Sequence, residues 1–95
     1  MDEDVVKVKY LGAYRLFVEF KDGESGEVDI SELVKFRGIL EPLKDFKFFE
    51  QVKINQECGV LEWPNGVDID PLMLYSKTTG KPIVLNTIRK VKVYA

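Results

Sequence analysis

The stretch Trp63-Pro64-Asn65-Gly66-Val67-Asp68-Ile69-Asp70-Pro71 constrains this chain more than any other. A bulky aromatic leads into a tight Pro-Asn-Gly turn. Asp68 and Asp70 then stand two apart, so an extended backbone points both carboxylates the same way. Asp70-Pro71 is a helix-start signal. The Asp side chain accepts from a backbone N–H, and proline takes the first helical position, where its missing N–H costs nothing. A short helix is expected over Pro71-Leu72-Met73-Leu74-Tyr75, with Thr78-Thr79-Gly80-Lys81-Pro82 a turn.

Upstream, apolar residues alternate with polar ones, the period of half-buried strands. Val6, Val8 and Tyr10 alternate with Lys7 and Lys9, and Leu16, Val18 and Phe20 with Arg15, Phe17 and Glu19. A Leu11-Gly12-Ala13 loop sets Val8 against Leu16 and Val6 against Val18. That register puts apolar on apolar and is favoured over a Gly12-Ala13 loop. Val28 and Ile30 make a short third strand, with Lys21 and Glu27 able to pair across the hairpin. Ser31 or Asp29 caps a helix through Glu32-Leu33-Val34-Lys35, which Gly38 ends. Ile39-Leu40-Glu41-Pro42-Leu43 reads as a turn or one helical turn. A short helix from Asp45 to Gln51 plugs Phe46, Phe48 and Phe49 into a sheet face. Val52-Lys53-Ile54 and Leu61-Glu62-Trp63 form a second hairpin, with Ile54 opposite Leu61, Val52 opposite Trp63 and Gly59 left-handed in the loop. Ile83-Val84-Leu85 and Val91-Lys92-Val93 read as further strands.

The 95 residues make a single domain, 45% hydrophobic and 32% charged, which is a globular composition. The opening Met1-Asp2-Glu3-Asp4 is acidic where a signal peptide is basic, and the lone Cys58 fits a reducing compartment. A cytoplasmic location is expected. The absence of histidine removes the commonest general base and metal ligand, and the net charge of −2 argues against binding nucleic acid with the whole surface.

Four segments together resemble the domain-of-unknown-function family 2442, the NE0471 N-terminal domain-like fold. They are Tyr14 to Gly23, Gly26-Glu27-Val28-Asp29-Ile30, Gly38 to Leu43 with Phe49, and Trp63 to Pro71 followed by Leu74-Tyr75. The likeness covers about residues 5–75 and leaves 76–95 as a strand-like extension. It implies an α+β fold, a small antiparallel sheet of β-hairpins with short helices packed on one side. It also implies gene company with another small protein, toxin–antitoxin character in some members, and no established catalytic residues. Some members carry a helix-turn-helix after this domain. Residues 76–95 read as too few, too β-like and too interrupted by Gly80 and Pro82 to form one.

The expected function is a non-catalytic protein–protein binding module, antitoxin-like, whose partner is a small neighbouring-gene product. No cofactor, metal or catalytic residue is assigned. Candidate binding residues are Trp63, Asn65, Asp68, Asp70 and Tyr75. Each has a structural reading beside it: Trp63 at the core edge with its indole N–H on a backbone carbonyl, Asp70 as cap, Asp68 satisfying the turn. An alternative is a nucleic-acid-associated regulator acting through Lys7, Lys9 and Arg15 on the outer face of the first hairpin, or through Arg89, Lys90 and Lys92. A second alternative is a metal-assisted enzyme using Asp68 and Asp70 with Asn65. The strand-like tail predicts a two-fold homodimer, unless it returns to its own sheet.

Overall fold

A computed structural model of the protein describes residues 2–82. The expected tail strands, and Arg89, Lys90 and Lys92 with them, lie outside the described residues.

The alternating stretches form strands β1 (Val5–Gly12) and β2 (Arg15–Phe20), followed by β3 (Ser25–Asp29). They make an antiparallel sheet in the order β1-β2-β3. One face carries Leu16, Val18, Phe20 and Val28 into the core. The observed register places Val8 opposite Val18 and Tyr10 opposite Leu16. Apolar residues do meet apolar residues, but two positions away from the expected pairing. The connection is Ala13-Tyr14, because Gly12 and Arg15 already pair and Ala13 accepts a φ of 51°. A register shift between Val5 and Lys7 displaces Val6, which is 49% exposed, while Val5 is buried in its place. Glu27 bonds to Arg15 rather than Lys21, since β3 aligns Glu27 with Phe17, next to Arg15.

After β3 the chain turns into a 3-10 helix, Ile30–Glu32, capped by Asp29, whose Oδ1 accepts from Ser31 N–H. The expected longer helix does not form, and Ile30 opens this turn rather than ending the strand. Gly38 starts the next 3-10 helix, Gly38–Lys44, rather than ending the previous one; its φ of 64° redirects the chain there. A single α-turn, α1 (Phe46–Phe49), follows under an Asp45 cap.

A second antiparallel sheet contains β4 (Lys53–Asn55), β5 (Val60–Glu62) and β6 (Asp68–Ile69). The strands therefore form two small sheets where one was expected. Ile54 stands opposite Leu61, as the loop length requires, and Ile69 continues that row. The two sheets meet where the Val5 N–H donates to the Gly59 carbonyl at 2.8 Å. Gly59 has a φ of 69°, and a Cβ there would stand 2.5 Å from Asp4 Cγ. Helix α2 (Pro71–Thr79) closes the core with Leu74 and ends on left-handed Gly80. It runs past Tyr75 through Thr78 and Thr79, which were expected in a turn, because the first backbone stop signal is Gly80.

Candidate functional site

The five candidate binding residues do not converge on one place. Trp63 is 1% exposed and packs 5.5 Å from the Phe49 ring. Its indole Nε1–H donates to the Phe49 carbonyl at 2.8 Å. Its ring is thus core, and no face of it is open to a ligand. Asp70 accepts from Leu72 N–H at 2.9 Å and is the cap of α2. Tyr75 packs edge-on against Phe20, and its hydroxyl donates to Asp22 at 2.6 Å. This pairing joins α2 to the turn between β2 and β3.

Only Asn65 and Asp68 line a common cleft. Asn65 Oδ1 accepts from Val67 N–H at 3.2 Å, so Asn65 supports the turn in the role expected of Asp68. A backbone pair closes that turn, with Trp63 N–H donating to Val67 O at 2.9 Å. Asp68 sits in β6 opposite Glu62 and is exposed, with no bond to its carboxylate among the described residues. Glu62 is held by Asn55 Nδ2 at 3.1 Å and Lys53 at 3.9 Å. The turn faces the Gly38–Lys44 helix, and together they bound a shallow cleft of about 590 Å³ lined by Ile39, Leu40, Asn65, Gly66, Val67 and Asp68. Ile39 stands 79% exposed at this site. Chemically the cleft offers apolar contact from Ile39, Leu40 and Val67, and a polar rim from Asn65 and Asp68.

Among the described residues no group of three or more His, Cys, Asp or Glu side chains is placed to hold a metal ion. Nor do Lys7, Lys9 and Arg15 form a basic surface. They share the outer face of the first sheet with Glu19, Glu27 and Asp29, with Lys7 opposite Glu19 and Arg15 opposite Asp29. Arg15 bonds Glu27 at 2.7 Å, which raises its pKa, chiefly through that hydrogen bond. A phosphate approaching this face meets both signs of charge.

Sequence reasoning missed Ile39 and Leu40, because periodicity does not say which apolar residues of a 3-10 turn face out. It also placed Phe46 in the core. Phe49 is buried, but Phe46 is 49% exposed. Phe49 fills the slot beside Trp63, and Phe46 packs on Tyr14 with half its surface left in water.

Residues 5–80 match the sequence family described as Protein of unknown function (DUF2442). The chain belongs to this family. The DUF2442 match runs past Tyr75 and so takes in the whole of α2 and its Gly80 cap. Neither a curated protein nor a solved structure matches the chain. Among the described residues no helix is long and apolar enough to cross a membrane.

Proposed function

We propose that this DUF2442 chain is a non-catalytic protein–protein binding module of the antitoxin-like kind, acting in the cytoplasm. Its contact surface is the connection between the two sheets. One observation carries the reading: Ile39, 79% exposed, stands at the rim of a cleft whose other apolar members are Leu40 and Val67. Leaving such a side chain in water forgoes roughly 1.5–3 kcal/mol of burial. A partner that covers it recovers that energy. The arrangement of apolar centre and polar rim, with Asn65 and Asp68 at the edge, is the anatomy of a protein interface.

The test is affinity capture from the native cell with the wild-type chain and with Ile39→Ser, each checked for unchanged melting temperature. The product of a neighbouring gene is the first partner to look for. A chain that co-purifies with wild type and is lost with Ile39→Ser supports the module. Capture of nothing, or capture indifferent to Ile39, overturns it.

A further inference from the structure

The turn that leads from Trp63 into β6 holds the two reacting groups of a hydrolysis. Its sequence is Pro64-Asn65-Gly66, and Asn65 and Gly66 are both exposed to water. An asparagine followed by glycine is open to attack by its own backbone. The amide nitrogen of the next residue reaches the side-chain carbonyl carbon and closes a five-membered ring, and glycine has no Cβ to hinder the approach. The chain's asparagines are Asn55, Asn65 and Asn86. Gln56 follows the first and Thr87 the last, so Asn65 alone precedes a glycine.

The fold acts on the two groups in opposite ways. The Gly66 N–H must lose its proton before the nitrogen can attack, and it donates to the Trp63 carbonyl at 2.9 Å. That bond closes a β-turn from Trp63 to Gly66, with Pro64 fixing φ at the second position. The turn is anchored, since Trp63 N–H donates to Val67 O at 2.9 Å and the Trp63 ring lies in the core. The nucleophile is therefore restrained. The electrophile is prepared: Asn65 Oδ1 accepts from Val67 N–H at 3.2 Å, a donor placed to support the negative charge this oxygen takes on during attack. Asn55 is the built-in comparison. Its Oδ1 likewise accepts from Glu57 N–H at 3.0 Å, but its next residue carries a Cβ.

We propose that Asn65 is a self-modification site, deamidated by Gly66, and that opening of the Gly66–Trp63 hydrogen bond sets its rate. Once the bond opens, the Gly66 nitrogen gives up its proton to solvent and bonds to Asn65 Cγ. The Cγ–Nδ2 bond breaks, and the leaving nitrogen takes a proton from solvent and departs as ammonia. Water then opens the cyclic imide. Addition at Cγ leaves a side-chain carboxylate at position 65. Addition at the main-chain carbonyl routes the backbone through Cβ and Cγ, one carbon longer, in a turn whose ends are both pinned. Either product puts a new negative charge in the cleft that Asp68 also lines. The chemistry does not depend on the binding-module reading, although it falls on the same surface.

The experiment incubates the full chain at mildly alkaline pH, folded in buffer and unfolded in guanidinium chloride. Peptide mapping by mass spectrometry follows the change from NH2 to OH at each asparagine, with the two carboxylate isomers separated by chromatography. Both isomers at Asn65 in the folded chain, with Asn55 intact and a folded rate several-fold below the unfolded one, support the proposal. Pro64→Gly loosens the turn. The ratio of its folded to its unfolded rate should rise towards one, and hydrogen exchange at Gly66 N–H should speed up with it. Dividing by each variant's own unfolded rate removes the direct effect of the neighbouring residue. Asn65 intact in the folded chain after the unfolded chain has converted overturns the proposal. So do equal folded and unfolded rates in wild type, Asn55 converting as fast as Asn65, or an unchanged ratio in Pro64→Gly. The wild-type comparison decides the matter even where that variant fails to fold.

Discussion

Trp63 holds the hinge between its own turn and α1 with a single donor. The bond to Phe49 O is long-range in sequence, and the same carbonyl also accepts from Val52 N–H at 3.2 Å. Trp63→Phe removes the donor and leaves a void in a close-packed region, so it should cost roughly 2 kcal/mol in urea unfolding. A Trp63 that served a ligand instead would leave stability nearly unchanged on that substitution. Asp70 is a second residue with a single structural duty. Asp70→Ala should cost about 1 kcal/mol through the lost cap. Addition of Mg²⁺ or Ca²⁺ to wild type should leave the melting temperature where it is. A metal-dependent rise abolished by Asp68→Ala would return these acids to metal chemistry. The Asp70 cap was legible because its signal is local: an Asp, a Pro and an apolar run. The bareness of Asp68 was not, because Asn65 reached the turn's N–H first.

At the scale of elements, the turn between β2 and β3 is latched to the end of α2. Tyr75 donates to Asp22, and Lys81 pairs with Glu24 at 2.8 Å. The Tyr75 hydroxyl holds the Asp22 carboxyl below its ordinary 3.8, helped by the Glu24 backbone N–H. The same bond raises the Tyr75 hydroxyl above 10.0, with desolvation adding to it. Glu24 chiefly raises Lys81 above 10.5. The signs follow from linkage. The Asp22 contribution is present above its ordinary value near 3.8 and is lost as pH falls through the lower folded value. The Tyr75 and Lys81 contributions are present below their ordinary values and are lost as pH rises through the raised folded ones. Tyr75→Phe keeps the ring contact with Phe20 and removes only the bond. It should therefore lower the urea midpoint at neutral pH, and the difference from wild type should shrink once pH falls below the Asp22 range. A difference that stays constant into acid would show that the hydroxyl acts without Asp22. Sequence spacing offers no hint of this latch, since residues 22 and 75 are joined only by how α2 crosses the sheet.

At the scale of the whole molecule, the prediction concerns self-association through the segment after Pro82. Ile83-Val84-Leu85 and Val91-Lys92-Val93 read as strands in the sequence, and an unpaired apolar edge recruits a second chain. Light scattering should find a dimer for the full chain and a monomer for a chain ending at Pro82, which keeps all of α2 and its cap. A monomeric full chain at micromolar concentration defeats the dimer, and a dimer that survives truncation moves the interface to a sheet edge. By itself the sequence determined the strands of the two hairpins, β1 with β2 and β4 with β5, the cap at Asp70, the Ile54–Leu61 pairing and the DUF2442 membership, and it narrowed the cap after β3 to Ser31 or Asp29. Each of these rests on neighbours within a few residues or on a short pattern. Only the tertiary structure decided the register of β1 on β2, the split into two sheets, and the outward turn of Ile39 and Phe46. Those depend on which side chain wins a shared slot in the core. Val5 takes it over Val6 and Phe49 over Phe46, and a chain of alternating apolar residues offers both candidates equally until the rest of the fold closes around one of them.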